Sequence, residues 1–238
     1  MYSILEHYLS TNHILMIGMI VTFILTFFLL EHPFSFLPSD QGRAFAVNGS
    51  LSKGKLRGVG FIFVLCFLIS SVLFLPIDVE YVIYAILLFA MMISGYLDDA
   101  SKTPWNEYKK GLIDLVISVV AVLTYMNFNS TTICFGADEI VIPKALFLIL
   151  GVILIWVSVN VTNCTDGVDG LCASLCSVTL LAFGVLFAPI LQKYAMANFL
   201  FLSVLFAYLY FNSSPSSMLM GDAGSRALGF YIAVIALK

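Results

Sequence analysis

The sequence predicts an all-α integral membrane protein: a polytopic helical bundle of eight spans, folded as one transmembrane domain over residues 1–238. Three observations carry this. Hydrophobic residues make up 61% of the chain and charged residues 11%, against ~25% charged in soluble domains. Eight apolar stretches fall at about 13–30, 58–76, 81–97, 111–128, 144–160, 171–190, 197–212 and 225–237. Several reach the ~20 residues with which a helix crosses hydrocarbon, and the shorter ones cross with little tilt. No outward-facing alternation of period two dominates, which favours a helical bundle over a barrel.

The elements follow in order. Glu6, His7 and His13 precede the first stretch, with no basic n-region and no small-residue cleavage site. It therefore reads as a retained span rather than a signal peptide. Pro33 and Pro38 stop that helix. Residues 39–57 are polar and basic. They read either as an orientation signal touching anionic lipid or, through Lys53, Lys55 and Arg57, as a grip on a phosphorylated ligand. The third span closes on Asp98-Asp99, and the fourth opens at Lys109-Lys110. Between spans 4 and 5, β-branched runs flank Gly136-Ala137-Asp138, which suits a short hairpin near 131–142. The fifth span runs into NVTNCTDGVDGL (residues 160–171), and Pro189 ends the sixth. The seventh leaves at Asn212, and MGDAGS (220–225) opens the eighth.

Positive charge sets the orientation. The connections after spans 1, 3, 5 and 7 carry Arg43, Lys53, Lys55, Arg57, Lys102, Lys109, Lys110 and Arg226. The other side carries Lys144, Lys193 and Lys238. The positive-inside rule places the odd connections in the cytoplasm and the N-terminus outside. The five cysteines form no disulfide framework; Cys172 and Cys176 are one turn apart and read as small apolar packing rather than zinc ligands. His7, His13 and His32 read as interfacial.

Chemistry-bearing residues gather on the predicted cytoplasmic side. Asn160, Asn163, Thr165, Asp166 and Asp169 surround Gly167 and Gly170. This is more than a plain turn between apolar helices needs, and ionisable groups beside such spans are functional candidates. Adjacent carboxylates Asp98 and Asp99 point about 100° apart on a helix and raise one another's pKa unless compensated. They read as a solvated helix end or as a site for a divalent cation, a lysine or a phosphate–cation assembly. Asp222 lies between glycines at a helix start, where backbone amides favour anions; by itself it also reads as a helix cap. Oxygen ligands without a Cys/His set suit Mg²⁺ or Mn²⁺. With Lys102, Lys109 and Lys110 nearby, the inventory fits a Mg²⁺-dependent phosphoryl or phospho-sugar transferase at the cytoplasmic face.

Asp98-Asp99, NVTNCTDGVDGL and MGDAGS, in this order and between these spans, resemble the motifs of the polyprenyl-phosphate N-acetylhexosamine-1-phosphate transferases. The TNCTDGVDGL form is most similar to their phospho-N-acetylmuramoyl-pentapeptide branch, over about residues 40–238. The resemblance implies transfer of phospho-MurNAc-pentapeptide from UDP-MurNAc-pentapeptide to undecaprenyl phosphate, giving lipid I and UMP. This is the first membrane step of peptidoglycan synthesis, at a bacterial plasma membrane. It implies Asp222 as the Mg²⁺ ligand, and Asp98 and Asp99 beside the lipid phosphate, with Asp98 as a candidate base. Asn163 and Asp166 match required active-site positions. Gly167, Val168, Asp169 and Asn212 fall at the uracil pocket, and Leu219 stands where the family usually has an aromatic. Lys102 and Lys110 match lysines that contact phosphates or support the site. The family often dimerises, and no nucleic-acid partner is implied.

Two departures stand out. The family's threonine-proline-rich stretch TPTMGG is here Leu56-Arg57-Gly58-Val59-Gly60-Phe61. The family usually has ten spans and a histidine-containing loop after the eighth, so a chain ending at Lys238 is expected to be truncated. Alternatives are a sibling GlcNAc-1-phosphate transferase and, from another class, an ion-coupled transporter. The transporter would place its ionisable groups near the bilayer midplane. A CDP-alcohol phosphotransferase lacks support, because no D-G-x-x-A-R follows Asp166.

Overall fold

A computed structural model describes residues 1–32, 34–40, 53–101, 103, 105–135 and 138–238. Each of the eight apolar stretches forms a helix, after a short turn α1 (Tyr2–Leu5). They are α2 (Thr11–Glu31), α3 (Gly60–Phe74), α4 (Val79–Asp99), α5 (Glu107–Phe128), α6 (Lys144–Thr165), α7 (Leu171–Phe187), α8 (Gln192–Asn212) and α9 (Gly221–Ala236). Among the described residues, α2, α4, α5, α6 and α8 are long and apolar enough to cross a membrane, and α3 and α7 are shorter apolar helices. The hairpin also forms: β1 (Thr132–Phe135) pairs antiparallel with β2 (Asp138–Val141), in the register Thr132↔Val141 to Phe135↔Asp138. The chain is thus an all-α, multi-pass membrane protein with one small hairpin.

Two helix ends differ from the apolar pattern, and both differences bear on the site. Helix α6 continues past residue 160 to Thr165. Polar side chains are tolerated there because they bond back one turn: Asn160 Nδ2 donates to the Trp156 carbonyl (2.7 Å) and Thr165 Oγ1 to the Val161 carbonyl (2.7 Å). Asn163 is therefore carried by a rigid helix end. Helix α9 begins at Gly221 rather than near 225. Gly221 has φ +66°, and a Cβ there would overlap the Asp99 carboxylate, so only glycine serves at this corner. Asp222 consequently sits in the first helical turn, where the helix dipole favours a carboxylate.

The core of the bundle is α8 and α9. Helix α9 packs against α3, α4, α6 and α7, and almost every residue from Gly221 to Ile235 is buried. Helix α8 packs against α2, α3 and α7. Helices α4 and α9 approach closely at Gly95, where a Cβ would overlap the backbone of Asp222 and Ala223. That approach sets the end of α4 directly beside the start of α9. On the outside, α2, α6 and α7 expose large apolar side chains such as Phe28, Leu150, Ile153 and Val185. So much contiguous apolar surface fits lipid rather than water.

At the end of the bundle where α4 stops and α9 starts, three connecting segments meet. Leu56 bridges Ser39 antiparallel and Met218 in parallel. The Arg57 N–H donates to the Pro38 carbonyl (2.8 Å), Leu219 N–H to Leu56 (2.8 Å) and Gly60 N–H to Met220 (3.0 Å). The stretch that departs from the family pattern is therefore tied by its backbone to the segment leading into α9.

Candidate active site

Four helix ends supply the site. Asp98 and Asp99 close α4, Lys110 lies in the first turn of α5, Asn163 in the last turn of α6 and Asp222 in the first turn of α9. The two adjacent carboxylates diverge, as helical geometry requires. Asp98 faces α5: its Oδ2 pairs with Lys110 Nζ (2.6 Å), and its Oδ1 accepts the Trp105 N–H (2.7 Å). Asp99 faces α9: its Oδ2 accepts the Ala223 N–H (3.0 Å), and its Oδ1 accepts from Arg57 Nε (2.9 Å).

Asp222 joins the two halves. Its Oδ2 lies 3.3 Å from Lys110 Nζ, while its Oδ1 accepts from Asn163 Nδ2 (3.2 Å) and Arg57 Nη2 (3.4 Å). Asn163 Nδ2 also lies 2.9 Å from Ser225 Oγ, whose hydroxyl donates back to the Gly221 carbonyl. Arg57 further contacts Asp40 at 3.6 Å. Burial opposes the Arg57 charge, but Asp99, Asp222 and Asp40 outweigh it and hold its pKa above the ordinary arginine value. Asp98 and Asp222 are buried, so each contact acts in a poorly screened environment.

A second cluster lies alongside. Asp169 accepts from the Ser216 N–H (2.9 Å) and hydroxyl (2.7 Å). Lys55 Nζ donates to Ser216 Oγ (2.8 Å) and lies 3.8 Å from Asp169. Burial alone would raise the Asp169 pKa; the two Ser216 bonds and the Lys55 charge prevail and hold it below the ordinary value. Asn212 Oδ1 accepts the Gly170 N–H (3.0 Å), and its Nδ2 donates to the Met218 carbonyl (3.0 Å). This clamps the turn after α6 against the segment before α9.

The structure thus brings Asp98, Asp99, Lys110, Asn163 and Asp222 together, and separately Asp169 with Asn212. Gly167 and Val168 are exposed in the turn at 166–170, with Asp166 capping α6 through its N–H to the Asn163 carbonyl (3.2 Å). Leu219 is half-buried and pairs through its backbone with Leu56 and Val59. Lys53 is exposed, and Lys109 stacks 3.3 Å over the Trp105 ring rather than entering the acidic cluster. Lys102 lies outside the described residues.

Sequence reasoning gave Arg57 no specific partner, and its central place comes from the loop pairing described above. The Asp114–Arg226 ion pair, buried one turn deeper, was missed altogether. Its signal lay in spacing: Lys110 and Asp114 on α5, and Asp222 and Arg226 on α9, are each four apart and so share a helical face. Lys110, Asp114, Asn160, Asn163 and Arg226 line a cavity of about 210 Å³ beside the cluster.

The charge balance bears on whether a divalent cation suits the site. Among the described residues, the three carboxylates Asp98, Asp99 and Asp222 share two cations, Arg57 and Lys110, while Asp40 also touches Arg57 and the exposed Glu107 touches Lys110. Among the described residues no three His, Cys, Asp or Glu side chains form a closed ligand set. One or two carboxylates with open positions suit Mg²⁺, which retains water and takes substrate phosphates as ligands. The donor set therefore fits Mg²⁺ held jointly by protein and substrate.

Fold and site together define a polytopic helical membrane protein with Asp98, Asp99, Lys110, Asn163 and Asp222 gathered at one end of the bundle, the layout of a membrane-face enzyme rather than a midplane transporter. The model of glycosyl transferase family 4 matches residues 81–238. Over 93% of its length the chain is 35% identical to a phospho-N-acetylmuramoyl-pentapeptide-transferase of Treponema pallidum (strain Nichols), covering 67% of that protein. It is 29% identical to the transferase of the same name from Halalkalibacterium halodurans, with 95% of this chain and 75% of the relative aligned. It is 26% identical to that of Dictyoglomus turgidum, with 94% and 74% aligned. The chain belongs to glycosyl transferase family 4, in its phospho-N-acetylmuramoyl-pentapeptide-transferase branch.

Proposed function

We infer that the protein is a phospho-sugar transferase that moves phospho-MurNAc-pentapeptide from UDP-MurNAc-pentapeptide to undecaprenyl phosphate, releasing UMP. The observation that carries this reading is the convergence of Asp98, Asp99, Lys110, Asn163 and Asp222 from four helices at one end of an apolar bundle. A lipid phosphate anchored by its chain in the surrounding bilayer reaches that end without leaving the membrane, and a water-soluble nucleotide reaches it from the cytoplasm.

In the reaction we propose, an oxygen of the lipid phosphate attacks the β-phosphorus of the nucleotide sugar. A new P–O bond forms, the bond to the bridging oxygen breaks, and the electron pair leaves with UMP. Asp222, with Asp99 beside it, would hold Mg²⁺, which when bound neutralises diphosphate charge as the bond breaks. Lys110 bridges Asp98 and Asp222 and so lies where the phosphates of the two substrates would meet. Asn163 fixes the Asp222 rotamer through its amide, which pre-organises the acid for one geometry. Asp98 would receive the proton of a lipid phosphate that arrives protonated. The Asp169–Ser216–Lys55 cluster and the Asn212 clamp shape the neighbouring surface for the nucleoside end.

The test is UMP release by the full-length protein in detergent, with undecaprenyl phosphate and Mg²⁺, from UDP-MurNAc-pentapeptide and separately from UDP-GlcNAc. Release from the muramyl donor alone is expected. Release from UDP-GlcNAc alone would move the chain to the sibling GlcNAc-1-phosphate reading.

A further inference from the structure

Arg57 occupies an unusual place. Its guanidinium touches three carboxylates: Nε to Asp99 at 2.9 Å, Nη2 to Asp222 at 3.4 Å and Nη1 to Asp40 at 3.6 Å. It comes from a connecting segment rather than from any of the helices that build the site, yet its backbone is fixed on both sides. The Arg57 N–H binds the Pro38 carbonyl, and the flanking Leu56 and Val59 bind Leu219. The side chain is 27% exposed, while the Asp99 carboxylate it touches is fully buried. The charged head thus has a route to solvent without any movement of the backbone.

We propose that Arg57 is a resident counter-cation that holds the Asp99–Asp222 pair in its metal-free state and gives way when a divalent ion arrives with a diphosphate ligand. This rests on the reading of Asp222 as a metal-holding residue. Two buried carboxylates brought together need a positive charge between them. With Arg57 supplying it, Asp222 keeps one geometry without metal. A divalent ion entering beside Asp222 meets a fixed like charge a few ångströms away and binds weakly by itself. A diphosphate changes that balance, because the planar guanidinium pairs as well with phosphate oxygens as with carboxylates. Arg57 then turns from Asp222 to the anion, and Asp222, still held by Asn163, would be free of the like charge and able to hold the metal. The consequence is ordered loading: metal is held firmly only when the phosphorylated donor is present. Arg57 is a positioning residue in this scheme, acting through Asp99 and Asp222.

Mn²⁺ binding to the detergent-solubilised full-length protein without nucleotide, followed by loss of the free-ion electron paramagnetic resonance signal, tests this directly. Arg57→Gln removes the charge and should tighten Mn²⁺ binding at least about tenfold, since a unit charge at this range in a poorly screened site exceeds 1.4 kcal/mol. Arg57→Lys keeps the charge and should bind Mn²⁺ as the wild type does. Adding UDP should tighten Mn²⁺ binding to the wild type more than to Arg57→Gln. If the neutral variant is less stable, the rise of its melting temperature with Mn²⁺ gives the same reading, and should exceed that of the wild type. Equal or weaker Mn²⁺ binding in Arg57→Gln, or an equal melting response, overturns the proposal. Neither readout uses the sugar donor or the lipid, so a wrong substrate assignment would show in UMP release while leaving this result intact.

Discussion

Helix α4 carries a buried carboxylate cluster at each end, and the two are built differently. At its start, Glu80 is met by Lys238 and by Asn129 Nδ2 (2.6 Å), Tyr194 (3.2 Å) and Tyr84 (3.4 Å). One acid faces one cation, and amide and phenol donors cover the remaining lone pairs. At its end, Asp98, Asp99 and Asp222 share Arg57 and Lys110 among the described residues, and Asp40 also touches Arg57. The first cluster is neutral, as a structural ion pair in an apolar bundle must be. The second sets three carboxylates, Asp98, Asp99 and Asp222, against two cations among the described residues. Burial of an acid by itself says little about function; burial of acids in excess of their cations marks a place that awaits a positively charged or metal-bearing ligand.

This contrast can be broken most sharply at Asp222. Asp222→Asn keeps the shape and the Asn163 contact but removes the charge proposed to hold the metal, and should lower UMP release roughly 10²–10³-fold. Its melting temperature should stay near that of the wild type, because the amide fills the same volume and its oxygen still accepts from Asn163. At the other end of α4, Glu80→Gln should do the reverse. It leaves the buried Lys238 amine without its counter-charge and should destabilise the bundle by about 2 kcal/mol, with UMP release at permissive temperature within about twofold of wild type. A large loss of turnover at constant stability in Glu80→Gln would erase the distinction between the two ends. The smallest effect concerns Asp169. Its pKa is lower in the folded state than in the unfolded chain, so its contribution to stability is complete above the ordinary carboxylate value near ~3.9. That contribution is lost as pH falls through the lower folded value. Asp169→Asn should therefore melt slightly below wild type at pH 7, with the gap closing under strongly acidic conditions.

What the sequence made legible follows from how each feature is encoded. Eight apolar runs and a β-branched hairpin are local patterns, and all nine features appear where expected among the described residues. Asp98, Asp99, Asn163, Asp169 and Asp222 stand out because polar residues beside apolar spans are conspicuous, while Asn212 gains a site role only through the family resemblance. Less visible was anything that depends on two segments meeting. Arg57 lies among other basic residues of a connecting segment, and only the pairing of Leu56 with Met218 brings it to Asp99. Asp114 and Arg226 sit 112 residues apart; the sequence counts Arg226 among the basic residues of the connection after span 7, whereas the structure buries it within α9 against Asp114. Their shared four-residue offset from Lys110 and Asp222 was present in the sequence but became meaningful once α5 and α9 were known to face the same cavity. MGDAGS reads as the opening of a helix, and the left-handed Gly221 sets the corner just before Asp222, so the helix begins a few residues ahead of the apolar run at 225.

The enclosure of α9 bears on how the protein is made. The helix is surrounded by α3, α4, α6 and α7, yet follows all of them in the chain. Its neighbours are therefore synthesised and inserted while the slot that α9 will fill is still vacant. Until the ribosome has delivered Gly221 and the residues after it, Asp99 lacks the Ala223 amide and Lys110 lacks one of its two buried carboxylates. Assembly of the acidic cluster is thus a late event in biogenesis, and a nascent chain halted before this helix lacks Asp222 and with it the junction between Asp99, Lys110 and Asn163.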